Sequence, residues 1–172
     1  MGGETDRAKI ERFMTELGRL ARGPGRVYFT GGVTALLHGW RDRTIDIDLR
    51  LDPEPPGAFE AIAELKERLD TNIELASPAD FVPPLPGWRD RSPFIARCGH
   101  IDFFHYDLYG QALAKIERGH DRDLFDVQAM LGLGLVERAE LLRLFEAIGL
   151  ELVRYPAVDP ATLRAQIEAA LV

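Results

Sequence analysis

A mixed α+β front half followed by an all-helical tail is the fold class this sequence predicts, and three observations carry the prediction. Residues 44–51 alternate apolar and polar with period two, as a strand with one buried face does. Residues 6–22 and 58–69 repeat their apolar positions every three or four residues, the spacing of a helix laid on a core. From residue 108 onward every patterned stretch has the helical period.

In chain order, Ile10, Phe13, Met14, Leu17, Leu20 and Ala21 make one face of a first helix, which Gly23-Pro24-Gly25 ends. Val27-Tyr28-Phe29 is a short β-prone run that meets Gly31-Gly32. Residues 33–38 then read as a short helix stopped by Gly39. In residues 44–51, Ile45, Ile47, Leu49 and Leu51 take one face and Asp46, Asp48 and Arg50 the other. A loop at 53–57 precedes the helix at 58–69, and residues 73–75 form a short strand. Residues 77–93 hold five prolines and Gly87 and read as an ordered loop. Strands at 94–98 and 101–105 flank a tight turn at Gly99-His100. Helices follow at 108–117, 121–131, 137–148 and 160–171. The expected organisation is an α/β core over residues 1–107 and a helical part over 108–172 packed on the same domain.

Composition narrows the function. At 172 residues the chain is the size of one domain, and 46% hydrophobic content suffices for a core. Its apolar runs are too short to span a bilayer, and the N-terminus lacks a basic-then-apolar signal, so a cytoplasmic location with no membrane partner is expected. The single cysteine, Cys98, excludes an internal disulfide and a cysteine-built zinc site. A net charge of −7 argues against a broad nucleic-acid-coating surface, though not against a locally basic mouth. Of 21 basic residues only Lys9, Lys66 and Lys115 are lysine.

The chemistry concentrates in Phe29-Thr30-Gly31-Gly32 followed by Asp46-Ile47-Asp48-Leu49. Carboxylates at i and i+2 on a strand share a side, and holding them together is unfavourable unless a cation lies between them. Oxygen ligands suit a hard ion such as Mg²⁺. A Gly-Gly pair after a strand lets backbone N–H groups approach an anion unobstructed. An isolated Asp-x-Asp is most often a solvent-facing pair. Here a third acid, Asp102, stands in the apolar run Ile101-Asp102-Phe103-Phe104, where a carboxylate needs a partner or a metal. Three converging strand carboxylates are what two-metal phosphoryl transfer requires.

Gly-Gly, a spacer, Asp-x-Asp and a later strand Asp together resemble the signature of the DNA polymerase beta-like nucleotidyltransferase superfamily. The branch of AbiEii-type toxin nucleotidyltransferases is more similar still. There an Arg-x-Thr precedes the Asp-x-Asp; here Arg43-Thr44, without the intervening residue, stands before Ile45-Asp46-Ile47-Asp48. A helical lysine followed by Arg-Asp-x-x-Asp is matched by Lys115 and by Arg122-Asp123-Leu124-Phe125-Asp126. The resemblance covers residues 26–132. It implies a nucleotidyltransferase-like mixed sheet with flanking helices that moves a nucleoside monophosphate from a nucleoside triphosphate to a hydroxyl. Asp46 and Asp48 would bind two Mg²⁺ ions (Mn²⁺ being a substitute), and Asp102 would bind the catalytic one. Gly31, Gly32, Thr34, Arg43, Thr44, Lys115, Arg122, Asp123 and Asp126 would serve the nucleotide, with Lys115 neutralising charge on the leaving side. Thr34 is the candidate to replace the serine that many members carry where this chain has Gly32.

Lys115 has an ordinary reading too, as a solvated helix lysine. Asp123 and Asp126 share a helix face, and either hold a neighbouring cation or sit there as acids favoured by the helix dipole. No histidine is assigned to metal: His38 reads as packed, His100 falls in a turn, and His105 and His120 flank elements. Trp40, Trp88 and Phe81 read as packing residues. The acceptor stays open among a tRNA end, another RNA, a protein and a small molecule, and a toxin would come with a cognate antitoxin. The rival readings are an antibiotic or other small-molecule nucleotidyltransferase, whose cationic acceptor would suit an acidic surface, and a non-catalytic nucleotide-binding regulator. A purely structural α/β domain is the third.

Overall fold

The alternating stretch becomes the strand β2 (Asp46–Leu51) of a five-stranded mixed sheet, in a computed structural model that describes residues 2–172. Its partners are β1 (Gly25–Thr30), β3 (Asn72–Leu75), β4 (Phe94–Cys98) and β5 (Ile101–His105), ordered β3-β2-β1-β5-β4. β1 pairs antiparallel with β2 and parallel with β5, β2 parallel with β3, and β4 antiparallel with β5. This is the mixed α/β front half that the patterning predicts, with the mixed sheet and flanking helices that the resemblance implies.

By contacts the chain divides into two units. The first holds the residues up to Ser77 together with Ser92–Tyr106, and the second holds Pro78–Arg91 together with Asp107–Val172. The chain passes for the last time from the first unit to the second between Tyr106 and Asp107. The proline-rich loop, however, belongs with the helices and is not structureless: it contains a 3₁₀ turn, Pro78–Asp80, and the four-residue helix α4 (Trp88–Arg91).

In the first unit, period-two alternation separates the two faces of the sheet. Val27 and Phe29, Ile47 and Leu49, Ile73, and Ile101 and Phe103 point to one side and are buried. Against them lie α1 (Arg7–Leu20), through Ile10, Phe13, Met14 and Leu17, and α3 (Ala58–Arg68), through Ala61, Ile62 and Leu65. α1 begins where Asp6 accepts a hydrogen bond from the Lys9 N–H, satisfying one of the first-turn donors. α3 is the crossover that makes β2 and β3 parallel. α2 (Gly32–His38) adds Val33 and Leu36 to the same core and ends at Gly39 in a left-handed conformation. The other face carries Arg26, Tyr28 and Thr30, Asp46, Asp48 and Arg50, Asn72 and Glu74, and Asp102 and Phe104, as the registers require. Ile45, read as the first apolar position of β2, lies before the strand and is 59% exposed.

In the second unit, α5 (Leu108–Arg118) packs against α6 (Asp121–Gly132), α7 (Arg138–Ala147) and α8 (Pro160–Ala170). Asp107 caps α5 by accepting the Tyr109 N–H, and its carboxylate is held by two hydrogen bonds from Arg91, at 3.1 and 2.6 Å. A 3₁₀ segment over Gly149–Arg154 joins α7 to the loop before α8. No helix among the described residues is long and apolar enough to cross a membrane.

Candidate functional site

Acid gathers at one corner of the polar sheet face. β2 presents Asp46 and Asp48 there, and the parallel register sets Asn72 beside Asp46 and Glu74 beside Asp48. One carboxylate oxygen from each of Asp46, Asp48 and Glu74 lies within 4.8 Å of the other two. The Asn72 side-chain amide donates to Asp46 Oδ1 at 2.7 Å and to Glu74 Oε1 at 2.8 Å. Asn72 thus orients two of the acids without bringing any charge to offset them. Asp46 and Asp48 are half-buried and Glu74 is exposed, so water screens the repulsion only in part. Three carboxylates and no nitrogen or sulfur make a donor set suited to a hard divalent cation.

The Gly-Gly pair stands over this corner, and its two members do different work. Thr30 pairs with Asp48 across the β1–β2 ladder, and the chain then turns at Gly31, with φ +61° and ψ −126°. That backbone conformation is accessible essentially to glycine alone. A Cβ on Gly31 would lie 3.3 Å from Asp48 Oδ2, so bare backbone faces that carboxylate. Gly32 has a packing reason instead: a Cβ there would come within 2.7 Å of the Thr44 Cβ. Thr44 in turn is buried, donates its hydroxyl to the Asp46 carbonyl at 3.1 Å and bridges Thr5 through the backbone. It braces the start of β2.

Several expected site residues lie elsewhere. Asp102 does not join Asp46 and Asp48. Phe29 pairs with both Leu49 and His105, so the level of Asp48 on β5 is Tyr106, four residues beyond Asp102. That is about 13 Å along the strand at 3.3 Å per residue. Asp102 instead accepts two hydrogen bonds from Arg97, at 2.6 and 3.0 Å, and this pairing holds its carboxyl below the usual range. The partner that an acid in an apolar strand needs is an arginine, not a metal. Thr34 is fully buried, with its hydroxyl hydrogen-bonded to His105 Nδ1 at 3.0 Å on the core side, so it does not replace a phosphate-binding serine. Thr44 is structural, as above. Arg43 is exposed and paired with Glu4 at 3.3 Å.

Lys115, Asp123 and Asp126 are all buried within the second unit, whereas Arg122 is exposed. Lys115 Nζ donates to Asp126 Oδ2 at 2.8 Å and lies 3.8 Å from Asp123 Oδ1. Asp123 Oδ2 makes no hydrogen bond, with Arg118 Nε 3.5 Å away in poor alignment. The two aspartates therefore hold a cation, which was one of their two sequence readings. Lys115 is not presented as a mobile surface charge.

Sequence reasoning missed Glu74 and Asn72. The available signal was a carboxylate between Ile73 and Leu75, in the strand that follows the β2–α3 pair.

A histidine pair joins the end of α2 to the end of β5. His38 Nδ1 donates to the Thr34 carbonyl at 2.8 Å, and its ring centroid is 4.5 Å from that of His105. Burial first, and the charge of His38 second, lower the His105 pKa to about 3. An unfolded histidine titrates near 6.5. Between those values the unfolded chain binds a proton that the folded chain refuses, so stability falls as pH is lowered from about 6.5 toward 3. The slope approaches about 1.4 kcal/mol per pH unit in mid-window. Urea denaturation at pH 7 and pH 5 should show a larger loss in the wild type than in His105→Gln. Equal losses would mean that His105 does not resist protonation.

Compared with known proteins, the chain matches no family model, no curated protein and no solved structure.

Proposed function

We propose that this protein is a divalent-metal-dependent nucleotidyltransferase in which Asp46, Asp48 and Glu74 bind the metal. The observation that carries this reading is the three-carboxylate cluster beside the bare backbone of Gly31. The donor chemistry fits Mg²⁺, because all three side chains offer hard oxygen, and Asn72 donates hydrogen bonds to two of them. Bound there, such an ion supplies neutralisation of triphosphate charge and a lowered pKa for an acceptor hydroxyl. Asn72 keeps Asp46 and Glu74 in one orientation, so little reordering accompanies binding. Gly31, with no side chain, turns the chain directly over Asp48 and the metal-binding carboxylates. Thr44 and Gly32 pack together to fix where β2 begins relative to that turn. Relative to the sequence-level assignment, Glu74 replaces Asp102, and Lys115 moves from the nucleotide to the helical core. The toxin role and a cognate antitoxin rest on the resemblance of Arg43-Thr44 and of the Lys115–Asp126 stretch to the AbiEii-type branch.

A non-catalytic nucleotide-binding regulator is the second reading, favoured by the commitment of Lys115 to Asp126 and of Asp102 to Arg97. The test is transfer of label from α-labelled ATP, CTP, GTP and UTP, each with Mg²⁺, into total RNA and separately into lysate protein, with EDTA beside it. Label in one pool that EDTA abolishes is the expected result. Nucleotide binding with no transfer to RNA, protein or an aminoglycoside would favour the regulator. Neither binding nor transfer would overturn both.

A further inference from the structure

The polar sheet face has a second region, across β1, β5 and β4 from the acidic corner. The registers put Tyr28, Phe104 and Phe94 side by side on it. Tyr28 and Phe104 stack at 5.1 Å between ring centroids, and Phe104 meets Phe94 edge-on at 5.6 Å. The row emerges toward its edge: Tyr28 is fully buried, Phe104 is partly covered and Phe94 is 59% exposed. Two guanidinium groups flank it. Arg26, exposed, lies 5.5 Å from the centre of the Phe104 ring, and Arg97, 69% exposed, stands on the same face where β4 pairs with Asp102. Asp102 orients Arg97 and, with Asp52, also acts on Arg26; Asp52 is in turn paired with Arg50 at 3.5 Å, so three guanidinium groups meet two carboxylates and the patch is net positive on a chain whose overall charge is −7.

We infer that this face of β4 and β5 binds single-stranded nucleic acid, with bases stacking on Phe94 and Phe104 and the backbone running past Arg26 and Arg97. Rings exposed on a sheet and bordered by guanidinium groups are how many proteins take unpaired bases, because every base has a π-face and every link a phosphate. An apolar protein partner fits less well, since it would bury Arg26 and the Arg97–Asp102 pair along with the rings. Position supports the assignment too. Phe104 lies two strands and two residues from Asp48 on the same face, about 12 Å by strand spacing and rise. That gap is about three to four nucleotide steps at the ~3.4 Å rise of a stacked strand. A strand held on the aromatic row could therefore present its terminal hydroxyl at the acidic corner. Only this last step rests on the nucleotidyltransferase reading; the binding surface does not.

The experiment is fluorescence anisotropy of a labelled 12-nucleotide single-stranded RNA with the full chain, without nucleotide or metal. Phe94→Ala is expected to weaken binding about tenfold or more, and Arg26→Gln to weaken it and flatten its dependence on salt. Phe94→Leu keeps an apolar exposed side chain without a ring and should behave like Phe94→Ala. A duplex of the same sequence should bind more weakly than the single strand. Wild-type affinity in both Phe94 variants, equal affinity for the duplex, or no binding at all would each overturn the proposal. Because Asp48→Asn leaves this region untouched, unchanged RNA affinity with lost transfer separates the two claims. Transfer without RNA binding would sink the surface and leave the catalytic reading standing.

Discussion

Asp48→Asn is expected to cut nucleotide transfer by at least ~10³, about 4 kcal/mol of barrier, while leaving the fold intact. The two effects have one cause. Asparagine keeps the shape of the side chain but removes a negative charge from a group whose carboxylate oxygens lie within 4.8 Å of one another. That charge is held beside two others, and a cation bound among them turns their repulsion into an attraction. Mg²⁺ should therefore raise the melting temperature of the wild type and not that of Asp48→Asn. Glu74→Gln should lose activity in the same way, and Asp102→Asn should retain turnover within about threefold at saturating acceptor, since removing one partner of an exposed ion pair perturbs little. The pattern decides between two assignments of the third acid. Activity that survives Glu74→Gln and dies with Asp102→Asn would restore the sequence-level trio, and survival of all three variants would remove the metal site altogether.

That comparison also marks how much of the site was legible in the chain. β2 could be read because period-two alternation over a strand with one buried face leaves little choice about which side Asp46 and Asp48 take. The Gly31 turn was legible in kind, since a glycine pair after a strand announces unusual backbone. The division of work between Gly31 and Gly32 was not, because it depends on where Thr44 packs. Glu74 was hidden for a different reason. β3 has only four residues, too few for alternation to stand out, and its parallel register with β2 depends on the crossover through α3. Asp102 was the opposite failure. Its need for a partner was anticipated, but that partner was sought in the wrong place. The hairpin itself held the answer, because a two-residue turn at Gly99-His100 pairs Cys98 with Ile101 and therefore Arg97 with Asp102. The proline-rich stretch at 77–93 concealed two short helical turns, whose few residues show no period that composition can reveal.

Lys115→Met should destabilise the protein by about 3–5 kcal/mol, the usual consequence of removing one partner from a buried ion pair. For a chain of this size that lowers the melting temperature by roughly 6–20 °C. The asymmetry of the cluster sets the order of its variants. Lys115 faces two buried acids, Asp126 at 2.8 Å and Asp123 at 3.8 Å, so losing it leaves both without their shared cation. Asp126→Asn keeps a hydrogen-bonding group at 126 and leaves Lys115 beside Asp123, so its effect should be smaller. Lys115→Met with Asp126→Leu removes the pair and fills the space with apolar atoms, and it should recover most of the loss, with Asp123 still facing Arg118 at 3.5 Å. Thermal denaturation of the four chains gives this ranking directly. It also settles which role the lysine has. If Lys115 serves a triphosphate rather than Asp126, Lys115→Met would melt near the wild type and lose nucleotide affinity, the reverse of what a cation only 8% exposed between two aspartates should do.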